Sequence, residues 1–370
     1  MNILILDPFY EYSHRVWAEG FLKHSTHQIK ILSLSPHHWK WRMTGGAVEL
    51  ADQYKSLEYP IDLILATDML DLNAFLSITR INQSKIATAI YFHENQITYP
   101  WNTKESIEQK ERNNHYGFIN FTSCLAADKV FFNSNFHKEA FLSALPSFLK
   151  IFPGFGHQKF IAAITTKCEV LPLGLDMPDA DSTSTKEIDE RPCFLWNHRW
   201  EHDKNPELFF ETLYQLKSEN ILFELIVLGK SYSRQPAIFE EARQHLHNEI
   251  IHFGYVDSAE GYKKLMTRAN LLLVTSKQDF FGISIVEAIS SGLYPILPHR
   301  LAYPEHIAGD KHDLVFYQND AHLLDFVKNI LVKKGYQQDN GFSSFIQKYD
   351  WRNLIAHYDS SFSELKKAYI

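Results

Sequence analysis

Two basic residues five apart, Arg199 and Lys204, lie in the string Asn197-His-Arg-Trp-Glu-His-Asp-Lys204, directly after an apolar, β-rich run. A guanidinium grips an oxyanion with a planar fork and an ammonium acts as a point charge, so a pair converging from one strand-exit loop suits a diphosphate. Further along, Asp279-Phe-Phe-Gly-Ile-Ser-Ile-Val-Glu287 sets two acids eight apart around Gly282. The glycine lets backbone come close to a ligand, and a helix opening there points free N–H groups at an anion. Glu287, about a turn and a half into that helix, is placed to accept hydrogen bonds from ribose hydroxyls, and Asp279 from sugar hydroxyls. In the first half, Tyr91-Phe-His93-Glu94-Asn95-Gln96 ends another apolar run with four polar side chains, poor core material but good for gripping a substrate. Plainer explanations exist for each: exposed ion pairs around Lys204, a cap at Asp279, a solvated Glu287, a capping loop at His93. With 19 histidines in the chain, His93 alone is a weak signal. Convergence on one kind of ligand favours the functional reading.

Several motifs fail on spacing. Gly229-Lys230-Ser231 resembles the end of a phosphate loop, but Glu224 stands where that loop needs its first glycine. Gly154-Phe-Gly156 lacks the third glycine of a dinucleotide fingerprint and follows a helical pattern. His93-Glu94 has Ile97 where a zinc-protease helix needs its second histidine. Asp179-Ala-Asp181 has manganese-binding spacing but sits in a hydrophilic stretch. NTPase, dehydrogenase and metalloprotease readings are set aside, and no metal is expected.

The elements that must position these residues are legible as short apolar runs alternating with helical patterns, which argues for parallel sheets covered by helices. Residues 2–6, 29–34, 62–66, 85–92 and 129–133 read as strands of a first sheet. After Pro178-Asp-Ala-Asp-Ser-Thr-Ser-Thr-Lys186 the series restarts, with 193–197, 223–228, 250–253, 271–275 and 294–297 as strands of a second. The expected division is a domain over 1–178, a linker over 179–190, a domain over 191–348 and a helix over 349–370 packing back across both. In such doubly wound folds ligands bind at the C-terminal ends of the strands, where all three motifs fall.

The chain has 370 residues, 45% hydrophobic and 22% charged, an ordinary globular composition. Its net charge of −7 gives no global pull toward nucleic acid or acidic membranes. Lys40, Arg42, Lys104, Lys110 and Arg112, near Trp39, Trp41, Trp101 and Tyr116, offer local RNA contacts or equally an ordinary mixed surface. Cys124, Cys168 and Cys193 have no CxxC spacing, which fits a reducing cytoplasm. The N-terminus lacks a basic n-region and no apolar run reaches about 18 residues, so neither signal peptide nor membrane span is expected.

At these residues the chain resembles the retaining glycosyltransferases of family 4, GT-B class, with two Rossmann-like domains and an interdomain cleft. Arg199 with Lys204, Asp279 with Glu287, the turn Gly292 to Pro295, and Leu171-Pro-Leu-Gly-Leu-Asp176 carry the likeness. More narrowly, Tyr91-Phe-His-Glu-Asn-Gln96, Trp39-Lys-Trp-Arg42, Phe131-Phe-Asn-Ser134 and Asn197 to Lys204 are similar to the tRNA-queuosine mannosyltransferase group. That resemblance implies transfer of mannose from GDP-mannose to the cyclopentenediol of queuosine in the tRNA anticodon. It implies donor contacts at Arg199, Lys204, Gly229, Tyr255, Asp279, Phe281, Gly282, Ile283 and Glu287. His93 would contact the sugar, and Ser13, His14, Trp41, Arg42, Glu94 and Asn95 would lie toward the acceptor. Asp279 is one methylene shorter than the family's usual glutamate. A family 4 transferase with a lipid, glycan or small-molecule acceptor, and a non-catalytic nucleotide-sugar- or tRNA-binding protein, remain the alternatives.

Overall fold

The computed structural model describes every residue other than 82–84, 101–106, 154–156, 179–190, 231–234, 339 and 368–370, and the side chains of all of these but 107–112, 157–158 and 366–367. The expected linker 179–190 with Asp179 and Asp181, the pair Gly154 and Gly156, Ser231, Trp101, Lys104, and the side chains of Lys110 and Arg112 therefore lie outside the described residues.

The chain forms two compact units, Met1–Asp176 with Tyr349–Ile370, and Met177–Lys348. In the first, strands β1 (Asn2–Asp7), β2 (Gln28–Ser33), β3 (Leu63–Thr67), β4 (Ala87–Phe92), β5 (Lys129–Phe132) and β6 (Cys168–Val170) form one sheet in the order β2-β1-β3-β4-β5-β6. All its pairings are parallel. Helices α1 (Tyr12–His24), α2 (Trp39–Lys55), α3 (Leu72–Thr79), α4 (Ile107–Ala126), α5 (Asn135–Leu149) and α6 (His157–Thr165) connect the strands. Strands β3 and β4 are buried along their whole length, which is why they read as unbroken apolar runs: both faces are covered.

In the second unit β7 (Cys193–Asn197), β8 (Glu224–Leu228), β9 (Ile250–Gly254), β10 (Leu271–Leu273), β11 (Tyr294–Pro298) and β12 (Phe316–Tyr317) pair in the order β12-β11-β10-β7-β8-β9. The helices are α7 (Pro206–Ser218), α8 (Ile238–His245), α9 (Ala259–Arg268), α10 (Ile283–Ser290), α11 (His312–Val315), α12 (Leu323–Lys333) and α13 (Phe342–Ile346). The last helix, α14 (Trp351–Lys367), returns to the first unit. There the Tyr358 hydroxyl accepts from Trp17 Nε1 at 3.1 Å and donates to the Pro172 carbonyl at 2.7 Å.

Each sheet changes winding direction once. In the first unit the chain moves outward from β1 to β2 and then resumes on the other side at β3; in the second it runs β7, β8, β9 and resumes at β10. These switch points open crevices beyond the strand ends, between β1 and β3 and between β7 and β10.

Candidate active site

In the first unit, neighbouring strand exits deliver a polar cluster. Asp7 ends β1 fully buried, Asp68 follows β3, His93 follows β4 and Asn133 follows β5. On α1 the buried residues His14, Trp17, Ala18 and Phe21 recur at helical spacing, so His14 lies on the inward stripe. Its Nδ1–H donates to Asp7 Oδ2 at 2.9 Å, and its ring stacks on His93 with centroids 3.9 Å apart. The His93 backbone N–H donates to Asp68 Oδ1 at 2.9 Å, while Asn133 Nδ2 donates to the His93 carbonyl at 2.8 Å. Asn133 is in turn oriented by His137 Nδ1–H, 2.8 Å from its Oδ1. Both ring nitrogens of His93, Asp68 Oδ2 and Thr67 Oγ1 are buried without a hydrogen-bond partner, an arrangement that is costly unless a ligand or water completes it. Burial pushes the Asp68 carboxyl up to about 8.

In the second unit, Lys204 is buried in a 3-10 turn after β7, and the loop after β10 closes over it. Thr275 Oγ1 donates to the Lys204 carbonyl at 3.0 Å, and the Lys277 N–H to the Asp203 carbonyl at 2.8 Å. Lys204 Nζ donates to the Gln278 carbonyl at 2.7 Å and lies 3.3 Å from Asp203 Oδ2 and 3.5 Å from Asp279 Oδ2. Burial alone would lower its affinity for the proton, but Asp279 and Asp203 outweigh it and hold it above the usual lysine value. Tyr303 OH donates to Asp279 Oδ2 at 3.2 Å. Gly282 caps α10 at φ +85°, with Phe281 buried before it and Ile283 opening the helix. Glu287 Oε2 accepts from the Tyr262 hydroxyl at 3.2 Å, and Asn197 Nδ2 donates to the same hydroxyl at 2.9 Å. Arg199 is half-exposed, 3.4 Å from Glu201. Gly229, at φ +122°, is indispensable as glycine: a Cβ there would stand 2.1 Å from the His198 carbonyl. His198 itself is buried, with Nε2 unpartnered and its protonation pushed down to about 4 by burial and then by Lys204.

Lys204, Asp279 and Gly282 thus meet at one switch point, and Glu287 joins Asn197 beside them. Tyr255, after the edge strand β9, is 63% exposed. In the first unit Asn95 uses its side chain within its own turn, Oδ1 accepting from the N–H groups of Ile97 and Thr98. Glu94 accepts from Gln96 Nε2 at 3.0 Å. Ser13 is half-buried beside His14. Arg42 pairs with Glu49 at 2.8 Å and with Ser35. Trp41 is 61% exposed, whereas Trp39 and Tyr116 pack around a small core of Met43, Met69 and Ile119. Tyr116 is therefore buried, whereas Trp39 is only partly so. Among the described residues no group of three or more His, Cys, Asp or Glu is arranged to hold a metal ion.

Comparison with known proteins gives this geometry its setting. Residues 2–175 match a family model described as tRNA-queuosine alpha-mannosyltransferase N-terminal, and residues 179–338 match glycosyl transferases group 1. A tRNA-queuosine alpha-mannosyltransferase from Drosophila melanogaster is 34% identical over 313 residues, 82% of this chain and 81% of the relative. The chain belongs to the tRNA-queuosine alpha-mannosyltransferase family. Like that family, it is a glycosyltransferase. A GDP-mannose:cellobiosyl-diphosphopolyprenol alpha-mannosyltransferase from Xanthomonas oryzae is 25% identical over 44% of each chain. Among solved structures, sucrose-phosphate synthase from Thermosynechococcus elongatus superposes with TM-score 0.70 at 13% identity, covering all of both chains. This last likeness concerns the fold alone, two parallel sheets flanked by helices, the GT-B architecture.

Within this queuosine-mannosyltransferase-family chain, Asp68, Asn133, His137, His198, Tyr262 and Tyr303 join these two polar clusters although spacing did not single them out. Asp68 follows β3 as His93 follows β4, but a single acid after a strand carries no distinguishing signal. Tyr262 and Tyr303 lie on other elements with no local signal.

Proposed function

We propose that the protein transfers mannose from GDP-mannose to the cyclopentenediol of queuosine in the tRNA anticodon, with retention of anomeric configuration. The observation that carries this reading is the 34% identity to the Drosophila enzyme across 82% of the chain. The name of the Xanthomonas relative supports GDP-mannose as donor. In this reading Lys204, Arg199 and the first turn of α10 after Gly282 neutralise the diphosphate, supplying the positive charge that a metal provides elsewhere. Gly229, Phe281, Ile283 and Tyr255 line the nucleotide, Glu287 takes the ribose hydroxyls, and Asp279 and His93 take hydroxyls of the sugar. Cleavage leaves an oxocarbenium-like sugar, and the departing phosphate oxygen accepts the proton of the attacking hydroxyl on the same face. No nucleophilic side chain is needed, and the reaction belongs to the cytoplasm, where its tRNA substrate is.

Mass spectrometry of nucleosides from queuosine-containing tRNA, incubated with the protein and GDP- or UDP-sugars, tests this directly. A hexose added to queuosine from GDP-mannose alone fixes donor, acceptor and reaction. No hexose from any donor, with folded protein and queuosine-bearing tRNA, discards the tRNA reading and leaves a transferase for another acceptor. Transfer is expected to survive EDTA; loss reversed by a divalent ion would defeat the metal-free account.

A further inference from the structure

Asp7, His14, Asp68 and His93 come from three strand exits and one helix, yet they form a single clamp. His14 is held in its plane by Asp7 and lies face to face with His93, the two ring planes 22° from parallel. The Trp17 ring meets His93 edge-on, with centroids 4.9 Å apart at 82°. The main chain of His93 is fixed by Asp68 on one side and Asn133 on the other. A ring held this way is denied the rotation by which it would find a partner inside the fold, and both its nitrogens stay unpartnered. Two imidazolium rings at this separation would repel strongly. A positive charge that Asp7 stabilises on His14 therefore excludes one from His93.

We propose that Asp7 and His14 are positioning residues for the sugar transfer: the Asp7 carboxylate holds a cationic His14 flat against His93, and the stack keeps His93 neutral and oriented, its two ring nitrogens facing hydroxyls of the transferred sugar. A neutral imidazole offers one donor and one acceptor, which suits hydroxyl groups; a protonated one offers two donors. The inference rests on the reading above that a hexose is transferred. Burial would lower the pKa of His14, but Asp7 raises it, with Asp68 and Glu94 adding to the effect, to about 9. Burial, and then the charges of His14 and His137, hold His93 well below the ordinary histidine range. The titratable groups facing His14 are thus Asp7 from β1, Asp68 from the exit of β3, and His93 with Glu94 from the exit of β4.

Two measurements on the full-length protein test the proposal. In ring ¹⁵N spectra without ligand, one histidine, missing from His14→Phe, is expected to lose its proton near pH 9. Its midpoint should fall by about one unit or more in Asp7→Asn, while the signal assigned through His93→Gln stays neutral from roughly pH 6 to 8. A midpoint that Asp7→Asn does not move, or a His93 that titrates near the free value of about 6.5, overturns the proposal. In steady-state transfer, His14→Phe keeps a flat ring against His93 and removes the charge. It is expected to move the acid fall of kcat up by about one pH unit or more, because His93 loses the neighbouring charge that keeps its proton off, while leaving the donor KM within about 3-fold. An acid limb of kcat that His14→Phe does not move overturns the proposal. Because His14→Phe leaves the buried Asp7 carboxylate without its partner, melting accompanies both variants, and if either fails to fold the wild-type ring titration decides: a His14 or a His93 that titrates near the free histidine value overturns the proposal. Wild-type protein that transfers no hexose defeats the functional reading instead, and the ring titration, which needs no substrate, still judges the pair.

Discussion

Lys204 differs from an ordinary surface ion pair. Its side chain is 10% exposed, its ammonium lies between two carboxylates and a main-chain carbonyl, and both carboxylates come from loops flanking the β7/β10 switch point. An exposed lysine would contribute almost nothing by such pairing; a buried one whose partners raise its proton affinity stays charged at any assay pH. Lys204→Met is therefore expected to lower kcat by on the order of 10²-fold or more, because charge developing on the leaving diphosphate loses its counter-ion. The variant also leaves Asp203 and Asp279 facing each other without a cation, so thermal melting must accompany the kinetics to separate the two effects. Arg199, half-exposed beside Glu201, is expected to show a smaller loss in kcat on conversion to alanine and no change in melting. Equal and near-wild-type turnover for both would mean that the diphosphate binds elsewhere.

At the scale of elements, α10 depends on a residue that only glycine suits. Gly282 has φ +85°, and a Cβ there would come within 3.1 Å of Ile285 and of the Tyr303 ring, the same tyrosine that donates to Asp279. Gly282→Ala is expected to cost about 1–2 kcal/mol of backbone strain and to tilt the first turn of α10, seen as a lowered melting temperature and a raised donor KM with kcat less affected. The glycine and the acids around it were legible from spacing because a strand exit followed by a helix start leaves few other uses for that pattern. Strands β3, β4 and β7 were legible because burial on both faces demands continuous apolar runs. Strand β6 was not: it is three residues long, only partly buried and carries Glu169. Strand β12 has two residues, too few for any period to show. Asp68 was hidden for a related reason, since one acid after a strand looks like any turn residue until its Oδ1 is seen under the His93 N–H. Trp39 and Tyr116, which offered RNA stacking or an ordinary mixed surface, are brought together by their helices, with Tyr116 buried and Trp39 partly so.

At the scale of the whole molecule, the chain leaves its first unit at Asp176 and comes back to it at Tyr349, so the first unit is assembled from both ends of the sequence. The returning helix α14 is structural for that unit. Trp351 is pressed between two helix and loop backbones, where a Cβ on Gly20 or Gly174 would fall within 2.1 Å and 2.4 Å of its ring. Tyr358 accepts from the indole N–H of Trp17, which itself stacks on Tyr91 next to His93. Trp351, Tyr358 and Phe362 are all fully buried. Removing large aromatic side chains from a core costs about 3–5 kcal/mol each, so losing three approaches the whole stability of a domain, about 5–15 kcal/mol. Truncation after Lys348 is accordingly expected to unfold the first unit while the second, whose residues end there, keeps its sheet and its affinity for nucleotide. Limited proteolysis would then return a protected fragment beginning near Met177, and titration with GDP would report binding without transfer. A truncated chain that still transfers sugar would show that α14 covers the first unit without holding it together, and would shift the cost of forming the His14–His93 stack onto the sheet alone.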